Sequence, residues 1–172
     1  MFDLTHIHPM IVHFPIALLI VGFVSELTGI ISKKKLFTDT AFILLLTGGV
    51  GVVAAFFSGK YAGEGLIEAG TLKQALETHE DAAELAVWLT ATAVIFRIVL
   101  AVIKKYSGML RWVAVLLFFA AVLAIARTGF YGGELVFKHA AGVTLELGQL
   151  QENSSTGSRY GSAISCKEAG QT

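Results

Sequence analysis

Five histidines carry most of the chemistry this chain can offer: His6, His8, His13, His79 and His139. A neutral imidazole gives a metal one nitrogen, keeps a proton donor on the other, and titrates near neutral pH. Three of the five sit around "HPMIVHFPIALL", and the other two are remote from them in sequence. Imidazoles from separate helices at one depth can hold haem iron from opposite faces of the macrocycle. The other chemistry is a bare copper or zinc ion on His6, His8, His13 and His79 with Glu64 or Glu134. No two histidines stand at the i, i+4 spacing of a helical zinc site, and His6-x-His8 is a spacing common in unstructured tracts. Cys166, the one cysteine, supports neither an internal disulfide nor an iron–sulfur cluster.

The elements that must position these rings follow from composition. Of 172 residues, 55% are hydrophobic and 15% charged, too little charge to cover a water-soluble domain. Mean hydropathy is +0.70. Net charge is zero, so no nucleic-acid partner is expected. Four apolar blocks, at 9–31, 40–58, 82–103 and 109–130, each fit the ~20 residues that cross a bilayer. Residues 1–7 lack Lys and Arg, so the first block reads as a retained helix and not a signal peptide. The loops "SKKKLFTD" and "KKYSGMLR" are basic and belong in the cytoplasm, and the acid-rich loop between the second and third blocks belongs outside. The expected fold is an all-α integral membrane four-helix bundle of two helical hairpins, both termini on the periplasmic side of a bacterial inner membrane. Residues 1–147 form the membrane domain, with "GVTLELG" as a short strand or extended segment, and 148–172 a disordered polar tail. All five histidines then fall at the outer end. For any one of them a cap or headgroup contact is explanation enough; five on one side favour a site.

Two segments repeat. "SGKYAGEG" from Ser58 and "TGFYGGEL" from Thr128 share the pattern hydroxyl-Gly-x-Tyr-small-Gly-Glu. Gly59 and Gly129 are expected to end their helices in the left-handed conformation, with Tyr61 and Tyr131 at the membrane–water interface. The third helix can begin before its apolar block, at Thr71 of the capping box "TLKQ" or at Thr78. From Thr71, His79 shares a face with Leu72, Ala75, Leu76, Ala83, Ala86 and Thr90 and points inward. Pro15 is expected to kink the first helix and re-aim His13. Glu26 and Arg97, both inside spans near the cytoplasmic ends, are expected to pair as a clamp.

On these grounds the site is a b-type haem at the outer mouth. His13, just inside the lipid, and His79 are the expected iron ligands, and His139 and His8 come next. Arg127, Lys60, Lys138, Tyr61 and Tyr131 are placed to meet the propionates, and Phe14, Phe56, Phe57 and Trp88 to wall the ring plane. The expected function is electron transfer with quinone or a periplasmic carrier. The alternatives are a structural or assembly subunit of a larger membrane complex, and a periplasmic copper or zinc site. Nothing here has hydrolase spacing or a phosphate-binding glycine loop.

"HPMIVHFPIALL", "THEDAA" and "YGGELVFKHAAGV" together resemble the bacterial membrane family called domain of unknown function 2231, over residues 6–145. The resemblance implies four transmembrane helices with histidine motifs on the outer side, and no particular activity. Relatives joined to cytochrome c or Rieske modules lean towards redox chemistry. The positions carried over are His8, Pro9, His13, Pro15, His79, Gly132, Gly133, Glu134 and His139; Ala140 stands where relatives often have glycine.

Overall fold

Each apolar block becomes a helix, and three of the four helices outrun their block by several residues. The computed structural model describes residues 7–63 and 70–139, all helical apart from the tight turns. The helices are α1 (Ile7–Ser32), α2 (Lys35–Gly63), α3 (Gly70–Val102) and α4 (Gly108–His139). Their 26 to 33 residues make rods of about 39 to 50 Å, against ~30 Å of hydrocarbon. All four are long and apolar enough to cross a membrane. No strand occurs among the described residues. The segment "GVTLELG" and the tail at 148–172 lie outside them.

Most of the extra length is at the histidine end, although α2 also starts five residues early, at Lys35. α3 begins at Gly70, beside the earlier of the two expected starts, so the acidic stretch through Glu84 is helical. α4 continues past Phe130 to His139. The expectation that Gly59 and Gly129 terminate their helices is therefore wrong. Both lie inside helices, and the one glycine with positive φ among the described residues is Gly108. The physical reason is that flanking residues carry the helix on; at Gly59 a tertiary contact, not backbone freedom, explains the missing side chain, whereas a Cβ at Gly129 would meet only Ile16, at 3.9 Å.

At the opposite end the turns are tight. Lys33 and Lys34 alone join α1 to α2, and Lys33 takes φ 55°. After α3, Lys104 takes φ 54°. Its N–H donates to the Ala101 carbonyl at 3.2 Å, and the Lys105 N–H to that of Leu100 at 3.1 Å. This is a Schellman motif with lysine where glycine is usual.

α1 and α2 run antiparallel in close contact. Cβ atoms added at Gly48 and Gly51 would fall 2.9 Å from Leu19 and 3.0 Å from Pro15, so the backbones approach as only small residues allow. Pro15 is fully buried on α2 within an α1 that runs unbroken through it. α3 packs mainly on α4, and the α2–α3 and α1–α4 boundaries are slighter. The core draws on every helix: Leu19, Leu45, Val52, Ala93, Phe118, Ala121 and Ile125. Phe23 meets Phe118 edge-on at 5.6 Å and stacks on Phe119 at 5.5 Å. Between α2 and α3 runs an apolar groove of about 370 Å³. The Thr90 hydroxyl beside it is buried with no hydrogen-bond partner among the described residues.

The lysine turns share one end of the bundle, because Tyr106, in the α3–α4 turn, reaches Glu26 near the end of α1. Glu26 and Arg97 are both buried, and the expected clamp is built through a third residue. Tyr106 donates to Glu26 at 2.5 Å, and Arg97 lies 3.4 Å from the centroid of the same ring.

Candidate functional site

The far end of the bundle gathers two of the histidines. His8 lies in the first turn of α1, half-buried, against α2. Its Nδ1 is 2.9 Å from the Ser58 Oγ. Ser58 donates its own proton to the Ala55 carbonyl at 2.9 Å, so its oxygen accepts from His8 Nδ1–H. The ring lies flush on Gly59, where a Cβ would come within 2.9 Å of His8 Cε1.

His79 repeats the arrangement on the other helix pair. Its Nδ1 is 3.2 Å from the Thr128 carbonyl oxygen, which can only accept, so Nδ1 carries the proton. A Cβ at Gly132 would lie 3.2 Å from His79 Cε1. The Thr128 hydroxyl bonds the Ala82 carbonyl of α3 at 2.9 Å and that of Ala124 at 3.0 Å, locking α4 to α3 beside the ring. The expected inward face of α3 is realised, with Ala86 and Thr90 buried and Glu77, Asp81 and Glu84 exposed.

Both imidazoles thus spend Nδ1–H on the protein, and neither Nε2 has a hydrogen-bond partner among the described residues. A hydrogen bond of this kind fixes the tautomer and orientation of metal-binding histidines. His79 is also near enough to act on His8. Burial first, and then the neighbouring His79, lower the His8 pKa below its ordinary value, with the Ala55 carbonyl partly opposing them.

The other expected residues scatter around this pair. His13 is exposed on α1, farther into the span than His8. His139 is the last residue of α4, and its side chain lies outside the described residues, as do His6 and Glu64. Arg127 is exposed, 3.4 Å from the Tyr131 hydroxyl and 5.4 Å from the centroid of that ring. Tyr61 is exposed at the end of α2. Lys60 lies over Phe56 at 5.3 Å, and Lys138 pairs with Glu134 one turn away. Phe14, Phe57 and Trp88 are exposed on the helix surfaces. Among the described residues no three His, Cys, Asp or Glu side chains cluster closely enough to hold a metal ion.

Sequence reasoning missed the role of Ser58 and Thr128, although both open the repeated segments. The available signal was the repeat itself: a hydroxyl residue beside a glycine recurs where each odd-numbered helix offers a histidine. A family model described as "Predicted membrane protein (DUF2231)" matches residues 5–145. No curated protein and no solved structure matches the chain.

Proposed function

The chain belongs to the DUF2231 family of predicted membrane proteins, and from that footing we propose that it is a membrane-bound b-type haem protein that passes electrons at the periplasmic face of a bacterial inner membrane. The four helices insert as two hairpins with both termini outside, because the lysine turns belong to the cytoplasm. Quinone or a periplasmic carrier is the electron partner.

The observation that carries this reading is the pair His8 and His79, each proton-donating through Nδ1 and each with Nε2 unspent among the described residues. Haem held by two histidines takes two such nitrogens, with apolar surroundings and cations at the water boundary. The donor set fits that requirement. When bound, haem supplies a one-electron change at its iron. The protein's own part is orientation: Ser58 and Thr128 aim the imidazoles, and Gly59 and Gly132 keep space for them. Arg127 and Tyr131, paired near the end of α4, would meet the propionates. His13 would be the alternative α1 ligand, followed by His139.

The test is an absorption spectrum of detergent-purified protein expressed with haem supplied. A Soret band that shifts on dithionite reduction is expected. His79→Ala removes it, and one of His8→Ala and His13→Ala does the same, with helix content by circular dichroism unchanged. Full colour in all three variants overturns the assignment. A colourless protein that holds copper or zinc after dialysis supports the bare-metal alternative; one that is also metal-free and copurifies with membrane subunits supports an assembly role.

A further inference from the structure

The lysine-bearing end holds a second cluster with no part in that reading. Arg97 is 8% exposed, and its guanidinium lies on ring faces: Tyr106 at 3.4 Å and Phe42 at 5.1 Å. Arg111, in the first turn of α4, lies 5.7 Å from the centre of the Tyr106 ring. Its Nε is buried and has no hydrogen-bond partner among the described residues. The one carboxylate in the cluster, Glu26, is taken by the Tyr106 hydroxyl at 2.5 Å. Two guanidiniums therefore share one acid, and that acid is already engaged.

A buried guanidinium N–H needs an acceptor, which ring faces do not supply, and an oxyanion matches the fork of donors best. Arg97 lies five residues from the end of α3 and Arg111 three from the start of α4. Both therefore stand within about 8 Å of the helix ends, at headgroup depth. Asp39, the acid on the neighbouring turn of α2, is held by Lys35 at 3.4 Å.

We propose that Arg97 and Arg111, gathered around Tyr106, form a binding site for a phosphate oxyanion, as carried by the headgroup of an anionic phospholipid in the leaflet at the lysine-bearing end. Basic pockets between transmembrane helices recognise headgroups in this way. Glu26 is the positioning residue: it holds Tyr106, and the Tyr106 ring holds the guanidiniums.

The experiment reconstitutes the full chain in nanodiscs of equal phosphatidylcholine and phosphatidylglycerol and reads the retained lipid by native mass spectrometry. Wild type should retain phosphatidylglycerol over phosphatidylcholine, Arg111→Gln roughly fivefold less, and Arg111→Lys an intermediate amount. Lys34→Gln, which removes a charge of the same sign outside the cluster, should leave the ratio unchanged. A parallel arm adds inorganic phosphate to delipidated protein in detergent and follows the melting temperature. A rise lost in Arg111→Gln also supports the site and identifies free phosphate as sufficient. Equal retention of the two lipids by wild type, with no phosphate-dependent melting shift, overturns the proposal even where a variant fails to fold. Neither readout depends on haem.

Discussion

At the scale of single residues, the chemistry turns on which nitrogen of each histidine carries the proton. His8 and His79 both give Nδ1–H to α2 or α4. Histidine-labelled protein studied by nitrogen NMR should show the Nδ1–H tautomer at both sites above pH 7. Ser58→Ala should weaken that preference at His8, leaving only the Ala55 carbonyl to hold it, and leave His79 untouched. The same titration reads the charge state. The folded His8 resists protonation, mainly because it is buried, whereas the unfolded chain titrates near 6.5. Below about pH 6.5 the unfolded state takes up a proton that the native state refuses, so stability falls as the solution is acidified. A His8 that titrates like free histidine contradicts this. The histidines themselves were legible in sequence, because polar residues at the ends of apolar blocks stand out. Their partners were not. A serine and a threonine inside a helix show nothing of which remote ring they face, and Tyr106 reads as an ordinary interfacial aromatic until the fold brings Glu26 and Arg97 to it.

At the scale of the helix, the same residue type does two jobs that sequence reading merged. Glycines near the ends of apolar blocks read as stop signals, yet Gly59 and Gly129 are internal. Gly59 is needed for a close approach; Gly133 has nothing within 4 Å of where its Cβ would be. Gly133→Ala should therefore stabilise the protein by about 0.5–1 kcal/mol through helix propensity alone. Gly59→Ala should instead lose about 1 kcal/mol as His8 is pushed from Ser58. Unfolding in detergent compares them; equal gains would contradict the docking role of Gly59. The existence and order of the helices were legible because each needs an unbroken apolar run. The far end of α4 was not, since α4 runs past its apolar block to His139, where hydropathy no longer marks it; the start of α3 was marked by the capping box at Thr71. Left-handed Lys33 and Lys104 were equally unreadable, because the tightness of the turns, not residue preference, imposes that conformation.

For the whole molecule, the separation of charge and histidine between opposite ends is the feature on which orientation rests. Reporter fusions at Lys34 and Ser107 should report cytoplasm, and fusions between α2 and α3 the outside. Replacing Lys33, Lys34 and Lys35 with glutamine should give mixed orientations, since these three supply much of the bias. Fusions that place the lysine turns outside overturn the topology and move the proposed headgroup site to the other leaflet. The four-span plan was legible because bilayer thickness and loop charge act on the sequence directly. The arrangement of the bundle was not, because helix pairing depends on small residues whose partners only the folded chain reveals.

His8 is fastened to α2 and His79 to α4, so each ring belongs to a different helix pair, and the boundaries between those pairs are the slighter ones. No direct bond among the described residues sets the distance from one ring to the other. That gap is set like the jaws of a caliper, by how one helix pair seats on the other along the groove beside Thr90. Anything gripped by both rings would brace the two halves, and its departure would be felt along the length of the seam.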